Sequence, residues 1–427
     1  MRFNDINECI AFIESQRRKE GSTKNLNDML KLCEYFGSPQ KALKCVHVAG
    51  TNGKGSTLAY LTSILMKAGY KVGSYTSPYI EVYNERIEIN RINISNEKLL
   101  EYTNHIVSKY DDLEKKGYVL PSFFALTTLI AFMYFKDENV DIAIIEAGIG
   151  GLLDDTNVID SLVSIITNVN YDHMNILGNT IEEIAKNKLG IIKENSSFVS
   201  ISNPIINNLM IDTCRNKNAS FKIVSKDDIK IKDLSLFNTI FDYKQYKNIK
   251  LRMLGSYQAE NACLAIEASE FLRYRSFNIS DDNIIDGLEE AFWLGRLELV
   301  QRDPIILLDG AHNVDAFNRL IEFIKSIKST YKIRLVLAIS ANKDISNMLA
   351  MINDELIDEL ILTSFAYKRS DEAINLFNLS NHKNKFLIEN NLEILERVNN
   401  DENRDQTLTI FSGSLYFVSE LRKIFKL

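Results

Sequence analysis

Residues 45–69 read CVHVAGTNGKGSTLAYLTSILMKAG. The first five form a short apolar run with the look of a buried strand, and Leu58, Leu61, Leu65 and Ala68 then recur at helical spacing. Between them stands GTNGKGS, residues 50–56. A strand, a glycine loop and a helix in that order make a phosphate cradle. Backbone N–H groups of Gly50, Thr51, Asn52, Gly53 and Gly55 can turn toward an anion, and the helix start adds its partial positive charge. Lys54 can meet outer phosphate oxygens, while Ser56 or Thr57 can ligate Mg2+. The loop is shorter than the general GxxxxGK[ST] pattern. The competing reading is a tight strand-to-helix turn carrying an exposed lysine.

Working outward, 427 residues are long for one core and predict two or three domains. An apolar share of 45% with 25% charged residues is an ordinary globular composition. The formal charge of -7 gives no global electrostatic case for nucleic acid or an anionic membrane. The start MRFNDINECIAF carries acidic residues and no signal-peptide core, and the apolar stretch 123–135 is too short to span a bilayer. A cytoplasmic monomer is expected. Cys9, Cys33, Cys45, Cys214 and Cys263 lack metal spacing and read as reduced thiols rather than as a nucleophile or ligand set.

Before the loop, residues 6–17 and 26–36 pattern as helices. After it come a strand at 70–74, a turn at 76–80 fixed by Pro78, a charged helical region at 97–116 read as a solvated face, and a core helix at 123–135. The strand at 140–145 delivers Glu146 at its carboxyl end, where ligand crevices form in open α/β sheets. A carboxylate there suits Mg2+, a hard cation. The strand at 162–167 ends just before Asp172 and His173. Ile181, Ile184, Ala185 and Lys188 fall at i, i+3, i+4 and i+7, which places Lys188 on an apolar face where a bare ammonium is costly. Either the amine snorkels or it is modified, and a carbamate would make it a hard oxygen ligand. Short β-rich runs over 198–254, including 221–224 and 241–253, predict a small antiparallel sheet against the end of the main one. Helices resume at 258–271, and WLGR at 293–296 reads as a hinge. A strand at 304–308 ends in Asp309 and Gly310. It is followed by strands at 334–339, 360–364 and 408–411 alternating with helices, which is a mostly parallel α/β pattern.

The segment HVAGTNGKGS, 47–56, resembles the nucleotide loop of the Mur ligase superfamily, and within it of the folylpolyglutamate synthase and dihydrofolate synthase family. The resemblance continues almost to the end of the chain. TSPYI and NERI resemble the family's TSPHL and NERI, with Tyr79 in place of the histidine. Ser122, Phe123, Phe124 and Ala125 stand at its TxFE. EAGIGGLLDDTN stands at its EVGLGGRLDATN, with Leu152 for the arginine and Asp155 for the alanine. NKLGIIK, LGSYQAENA, WLGR, LDGAHN and SGSLYFVSELR resemble EKAGIIK, GxHQxxNA, WPGR, LDGAHN and GSLYxxxxxR. The opening segment around Arg18, Gly21 and Leu26 resembles part of a pterin-side wall.

The resemblance implies ATP and Mg2+, with metal contacts from Ser56, Ser77, Glu146, His173 and a carbamylated Lys188. It implies an adenine contact at Asn261, ribose at Asp309, an arginine reaching the phosphates at Arg296, and phosphate or acyl orientation by His312. The catalytic set is then Lys54, His173, Lys188, Arg296 and His312. Substrate contacts fall at Tyr79, Ser122, Phe124, Asp154 and Ser414. The expected fold is α/β: a P-loop ATPase-like domain over 1–292, with a mostly parallel sheet and a small antiparallel one, and a Rossmann-like domain over 293–427. The expected activity joins L-glutamate to a folate or dihydropteroate carboxylate through an acyl phosphate, releasing ADP and phosphate. Two alternatives stay open at this point: a superfamily ligase acting on another carboxylate, and a P-loop ATPase, kinase or binding module.

Overall fold

The computed structural model describes residues 2–17, 25–367 and 370–426, so Arg18 and Gly21 lie outside the described residues. Among the described residues the strands form three sheets. The first contains Cys45–Ala49 (β1), Val72–Tyr75 (β2), Ile87–Ile89 (β3), Ile92–Asn93 (β4), Ile142–Glu146 (β5), Ser161–Ile166 (β6), Ser197–Ile201 (β7) and Ser220–Val224 (β8). Their spatial order is β4-β3-β2-β5-β1-β6-β7-β8. Strand β1 runs parallel to both β5 and β6, and all five of its residues are buried. A strand covered on both faces needs an unbroken apolar run, which is why 45–49 reads that way. The parallel register sets Val48 beside Glu146 and Ala49 beside Ile166, so the three strands end together.

Two apolar clusters lie side by side on the face of this sheet that Cys45 and Ala49 share. One centres on the helix Phe123–Asp137, with Leu126, Leu129, Phe132 and Phe135 fully buried. The other is built on the helix Ile181–Leu189. The region 97–116 differs from its reading as a solvated face. It forms the helices Asn96–Val107 and Tyr110–Lys115, and Leu99, Ile106 and Leu113 have no exposed surface and join the first cluster. Apolar side chains seven residues apart suffice for a buried stripe despite the charge around them.

The antiparallel reading of 198–254 holds only for its second half. Strands β7 and β8 extend the main sheet in parallel, because the helix Asn207–Asn216 between them makes the crossover that parallel pairing requires. The separate antiparallel sheet is Ile229–Leu234 (β9), Thr239–Tyr243 (β10) and Tyr246–Leu251 (β11), the last two joined by a turn with Lys244 at φ +50°. The third sheet holds Glu298–Arg302 (β12), Ile305–Leu308 (β13), Lys332–Leu337 (β14), Glu359–Leu362 (β15), Lys385–Leu387 (β16) and Thr407–Ser412 (β17), in the order β12-β13-β17-β14-β15-β16. Only β12 pairs antiparallel there.

The chain divides into two compact units. One comprises the described residues of Met1–Asp228 with Asn261–Glu290, and the other Ile229–Glu260 with the described residues of Ala291–Leu427. This partition differs from a single cut after residue 292. The antiparallel sheet groups with the C-terminal part, since Leu236 and Leu254 pack in the same core as Leu307, Phe317 and Leu335. No helix among the described residues is long and apolar enough to cross a membrane.

Within the first unit, the helix Asp281–Glu290 lies tightly on Lys54–Lys67. A Cβ on Gly287 would sit 2.5 Å from Ile64 Cα. Alanine normally stabilises a helix interior relative to glycine, so the sign of Gly287→Ala is diagnostic. The expected outcome is a lower urea midpoint, by about 1–3 kcal/mol of overpacking. A raised midpoint would contradict the close helix contact.

Candidate active site

The loop after β1 is held by the segment that follows β6. Thr51 N donates to Asn168 O at 3.0 Å and Asn52 N to Asn168 Oδ1 at 2.8 Å, while Thr167 Oγ1 donates to Asn52 O. Thr51 Oγ1 donates to Asn170 O at 3.1 Å and accepts from Asn170 N at 3.0 Å. Gly50 has φ +154°, and a Cβ there would lie 1.9 Å from Thr167 Oγ1, so the chain passes where only glycine fits. Asn261 lies directly on the loop as well, with its Oδ1 2.5 Å from where a Cβ on Gly53 would be. Sequence reading missed Thr167, Asn168 and Asn170. The signal available was the TNVN run at the end of a buried strand, which has side-chain and backbone donors suited to bracing a neighbouring loop.

Two ammonium groups meet at one oxygen. Lys54 Nζ donates to Gly50 O and to Thr51 O, each at 3.3 Å, and lies 3.8 Å from Glu146 Oε1. Lys188 Nζ donates to the same Gly50 O at 2.8 Å. Lys188 is only 3% exposed, its neighbours Ile184 and Ala185 are wholly buried, and burial together with the Lys54 charge holds it down to about 7. The nearby Asp172 and Asp154 act against that shift. Glu146, the last residue of β5, is 4% exposed and its Oε2 accepts from Ser77 N at 3.2 Å. The structure therefore gathers Gly50, Lys54, Ser77, Glu146 and Lys188 at one strand edge. Ser56, also buried, stands in the first turn of the helix that Lys54 begins. Among the described residues, no three or more His, Cys, Asp or Glu side chains form a metal cage. One buried carboxylate beside serine residues is the kind of donor set Mg2+ uses, with phosphates and waters completing its shell.

His173 stands apart from that cluster in exposure. It precedes the short helix Met174–Leu177 with φ +49°, is 43% exposed in its side chain, and places Nε2 3.9 Å from Asp172 Oδ1. Asp154 is buried and braces its own loop: its oxygens accept from Ile149 N at 3.1 Å, Thr156 N at 3.1 Å and Thr156 Oγ1 at 2.6 Å. Tyr79 donates its hydroxyl to Glu14 Oε1 at 2.8 Å, and its ring lies 5.1 Å from the Arg86 guanidinium. Phe124 packs against Gly148 in the glycine loop and against Tyr75. Ser122 lines a small cavity with Asp28, Leu32, Ala125 and Asp155, so two of the departures from the family pattern meet in one space.

In the second unit, taken by itself, β13 ends at Asp309. Its carboxylate accepts from Leu297 N at 3.0 Å and from Ala311 N at 2.9 Å, and burial raises its pKa while Arg296 opposes the rise. Arg296 Nη1 is 3.3 Å from where a Cβ on Gly310 would be. His312 Nδ1 lies 2.8 Å from Gly310 O, which makes that nitrogen the donor. Ser414 is buried and caps the helix Leu415–Phe425, accepting from Tyr416 N at 3.2 Å. Arg296, Asp309 and His312 thus stand together at the carboxyl edge of the third sheet.

Comparison with known proteins shows the family and the fold. The Mur ligase middle domain family matches residues 48–269, and the family described as dihydrofolate synthetase, C-terminal domain, matches 295–424. A dihydrofolate synthase/folylpolyglutamate synthase of Bacillus subtilis is 36% identical over 418 residues, covering 96% of this chain and 97% of that protein. The chain belongs to the folylpolyglutamate synthase and dihydrofolate synthase family. Its fold agrees: a folylpolyglutamate synthase from Thermotoga maritima superposes with a TM-score of 0.85 at 31% identity, covering 99% of this chain and 96% of that one. A solved complex of a folylpolyglutamate synthase with AMPPCP and folate gives a TM-score of 0.81 at 27% identity, over 98% and 99% of the two chains.

The state of Lys188 has a consequence for stability. With its folded value near 7 and its unfolded value near 10.5, the unfolded chain binds more protons between those limits, so this residue makes stability rise with pH across that window. In Lys188→Met that contribution should vanish. Urea midpoints measured from pH 7 to 10 should climb less in the variant than in the parent, and parallel curves would show that Lys188 is not a depressed, buried amine.

Proposed function

We propose that this protein is an ATP-dependent ligase that joins L-glutamate to a folate-type or dihydropteroate carboxylate. The observation that carries the reading is the convergence of Lys54, Glu146 and Lys188 on the carboxyl edge beside the Gly50 loop. The loop and the helix start behind it bind the triphosphate, and Lys54 leaves the Gly50 and Thr51 carbonyls to meet the outer phosphate oxygens. The acceptor carboxylate oxygen attacks the γ-phosphorus, the bond to the β-bridging oxygen breaks, and ADP departs from an acyl phosphate. The uncharged amine of L-glutamate then attacks the acyl carbon, loses a proton, and phosphate leaves from the tetrahedral intermediate. These steps need positioning and charge neutralisation more than a strong nucleophile. Mg2+ would be held by Glu146 with Ser56 and Ser77, and a second ion by His173 and a carbamate on Lys188. Such ions supply charge neutralisation on the phosphate oxygens. An amine held near 7 is about half uncharged at neutral pH, and the uncharged form is the one that adds CO2. In the same reading Asn261 and Asp309 contact adenosine, Arg296 and His312 serve the transferring phosphoryl and acyl groups, and Tyr79, Ser122, Phe124, Asp154 and Ser414 serve the acceptor and L-glutamate. The five thiols, all buried and none in a disulfide, support a reducing compartment such as the cytoplasm.

ADP release measured with dihydropteroate, tetrahydrofolate and a cell-wall precursor, each with and without L-glutamate, tests the reading. Release should depend on a pteroyl acceptor together with L-glutamate, and turnover that ignores both would overturn it. Lys54→Ala should abolish ligation while the circular dichroism spectrum stays that of the parent. Arg296→Ala should lower single-turnover ligation at least about tenfold with ATP affinity nearly unchanged, as expected for a contact made mainly in the transition state.

A further inference from the structure

Inside the sheet, behind the loop, stands a histidine that the reaction above does not use. His47 is the middle residue of β1 and has no exposed surface. Its Nε2 lies 2.8 Å from Thr156 Oγ1, and that hydroxyl donates to Asp154 Oδ1 at 2.6 Å. A hydroxyl has one hydrogen. Since the carboxylate takes it, Thr156 can only accept from His47, which fixes the ring as the Nε2–H tautomer. Burial, with Lys193 nearby, holds the imidazole down to about 3, so it is neutral throughout the working range. Its Nδ1 is then left buried with no partner among the described residues. An unmet buried acceptor is costly, and an aliphatic side chain would fill a central strand without that cost. The compensation is the hydrogen bond at the other ring nitrogen.

We propose that His47 is a positioning residue for the acceptor side of the site: through Thr156 it orients Asp154, and Asp154 in turn fixes the loop 147–157. The chain of contacts is closed at its far end, because Asp154 also accepts from the backbone of Ile149 and Thr156, and Lys193 Nζ donates to Asn157 O at 2.7 Å. The inference rests on the reading of Asp154 as an acceptor contact. It adds a residue that lies on the nucleotide strand yet acts on the other substrate. Its expected signature is therefore a split: acceptor binding falls while nucleotide binding does not.

The test compares His47→Leu, His47→Gln and Thr156→Val with the parent. Glutamine places an amide donor at a reach comparable to Nε2, whereas leucine keeps volume and loses the donor. In His47→Leu the KM for dihydropteroate or tetrahydrofolate should rise about tenfold, the size of one lost buried hydrogen bond. The KM for ATP should stay within about twofold of the parent, and His47→Gln should recover most of the loss. His47→Leu with Thr156→Val should be no worse than either alone, since both remove the same link. Hydrogen exchange gives a reading independent of turnover: the Ile149 and Thr156 amides should exchange faster in His47→Leu and return toward the parent rate in His47→Gln. An equal rise in both KM values, or a glutamine variant as impaired as leucine, would overturn the proposal. If the parent ligated neither acceptor, the ligase reading alone would fall. Exchange would still decide the relay, with unchanged rates at Ile149 and Thr156 counting against it.

Discussion

One carbonyl oxygen, that of Gly50, receives hydrogen bonds from two lysine ammonium groups, and the site is arranged around that sharing. Like charges this close repel, and the repulsion is expressed in Lys188, the more deeply buried of the two, whose proton is held weakly. Glu146, Asp172 and Asp154 offset part of the excess. Beside Lys54 the helix start adds its own partial positive charge, in a protein whose overall charge is -7. Local field and net charge are separate quantities, and it is the local one that selects a polyanion.

That arrangement depends on three strands ending in register. Because β1, β5 and β6 are parallel and adjacent, the Gly50 loop, Glu146 and Thr167 arrive at one edge without any long-range adjustment. The third sheet uses the same device independently: β13 ends in Asp309, whose carboxylate ties together the backbone at Leu297 and Ala311. In each unit a carboxylate at a strand end accepts from backbone N–H: Glu146 from Ser77 on the segment after β2, and Asp309 from Leu297 and Ala311.

Much of this was legible in the sequence because it follows from periodicity. Ile181, Ile184, Ala185 and Lys188 share a helical face by spacing alone, and the apolar run 140–145 delivers Glu146 wherever the strand is placed. The illegible parts involve partners distant in the chain. Nothing local tells that Gly50 must clear Thr167 or that His47 faces Thr156. Residues 220–224 carry a β-rich composition that parallel and antiparallel strands share, so only the helix at Asn207–Asn216 decides between them. The charged run 97–116 misleads for another reason, since three well-spaced apolar residues outweigh many exposed charges in setting a buried face. The grouping of the antiparallel sheet with the C-terminal core rests on Leu236 and Leu254, two ordinary leucines whose neighbours no pattern announces.

The distribution of two rare side chains has a practical use. All five cysteines, Cys9, Cys33, Cys45, Cys214 and Cys263, fall in the first compact unit, and every one is fully shielded from solvent. Burial pushes Cys33, Cys45 and Cys214 up to about 12, so their thiolates are scarce as well as inaccessible while the unit is closed. The single tryptophan, Trp293, falls in the second unit. Thiol labelling and indole fluorescence therefore follow two different bodies of one unmodified chain. Recorded together, they would resolve the order in which the two units open without introducing a probe residue by mutation.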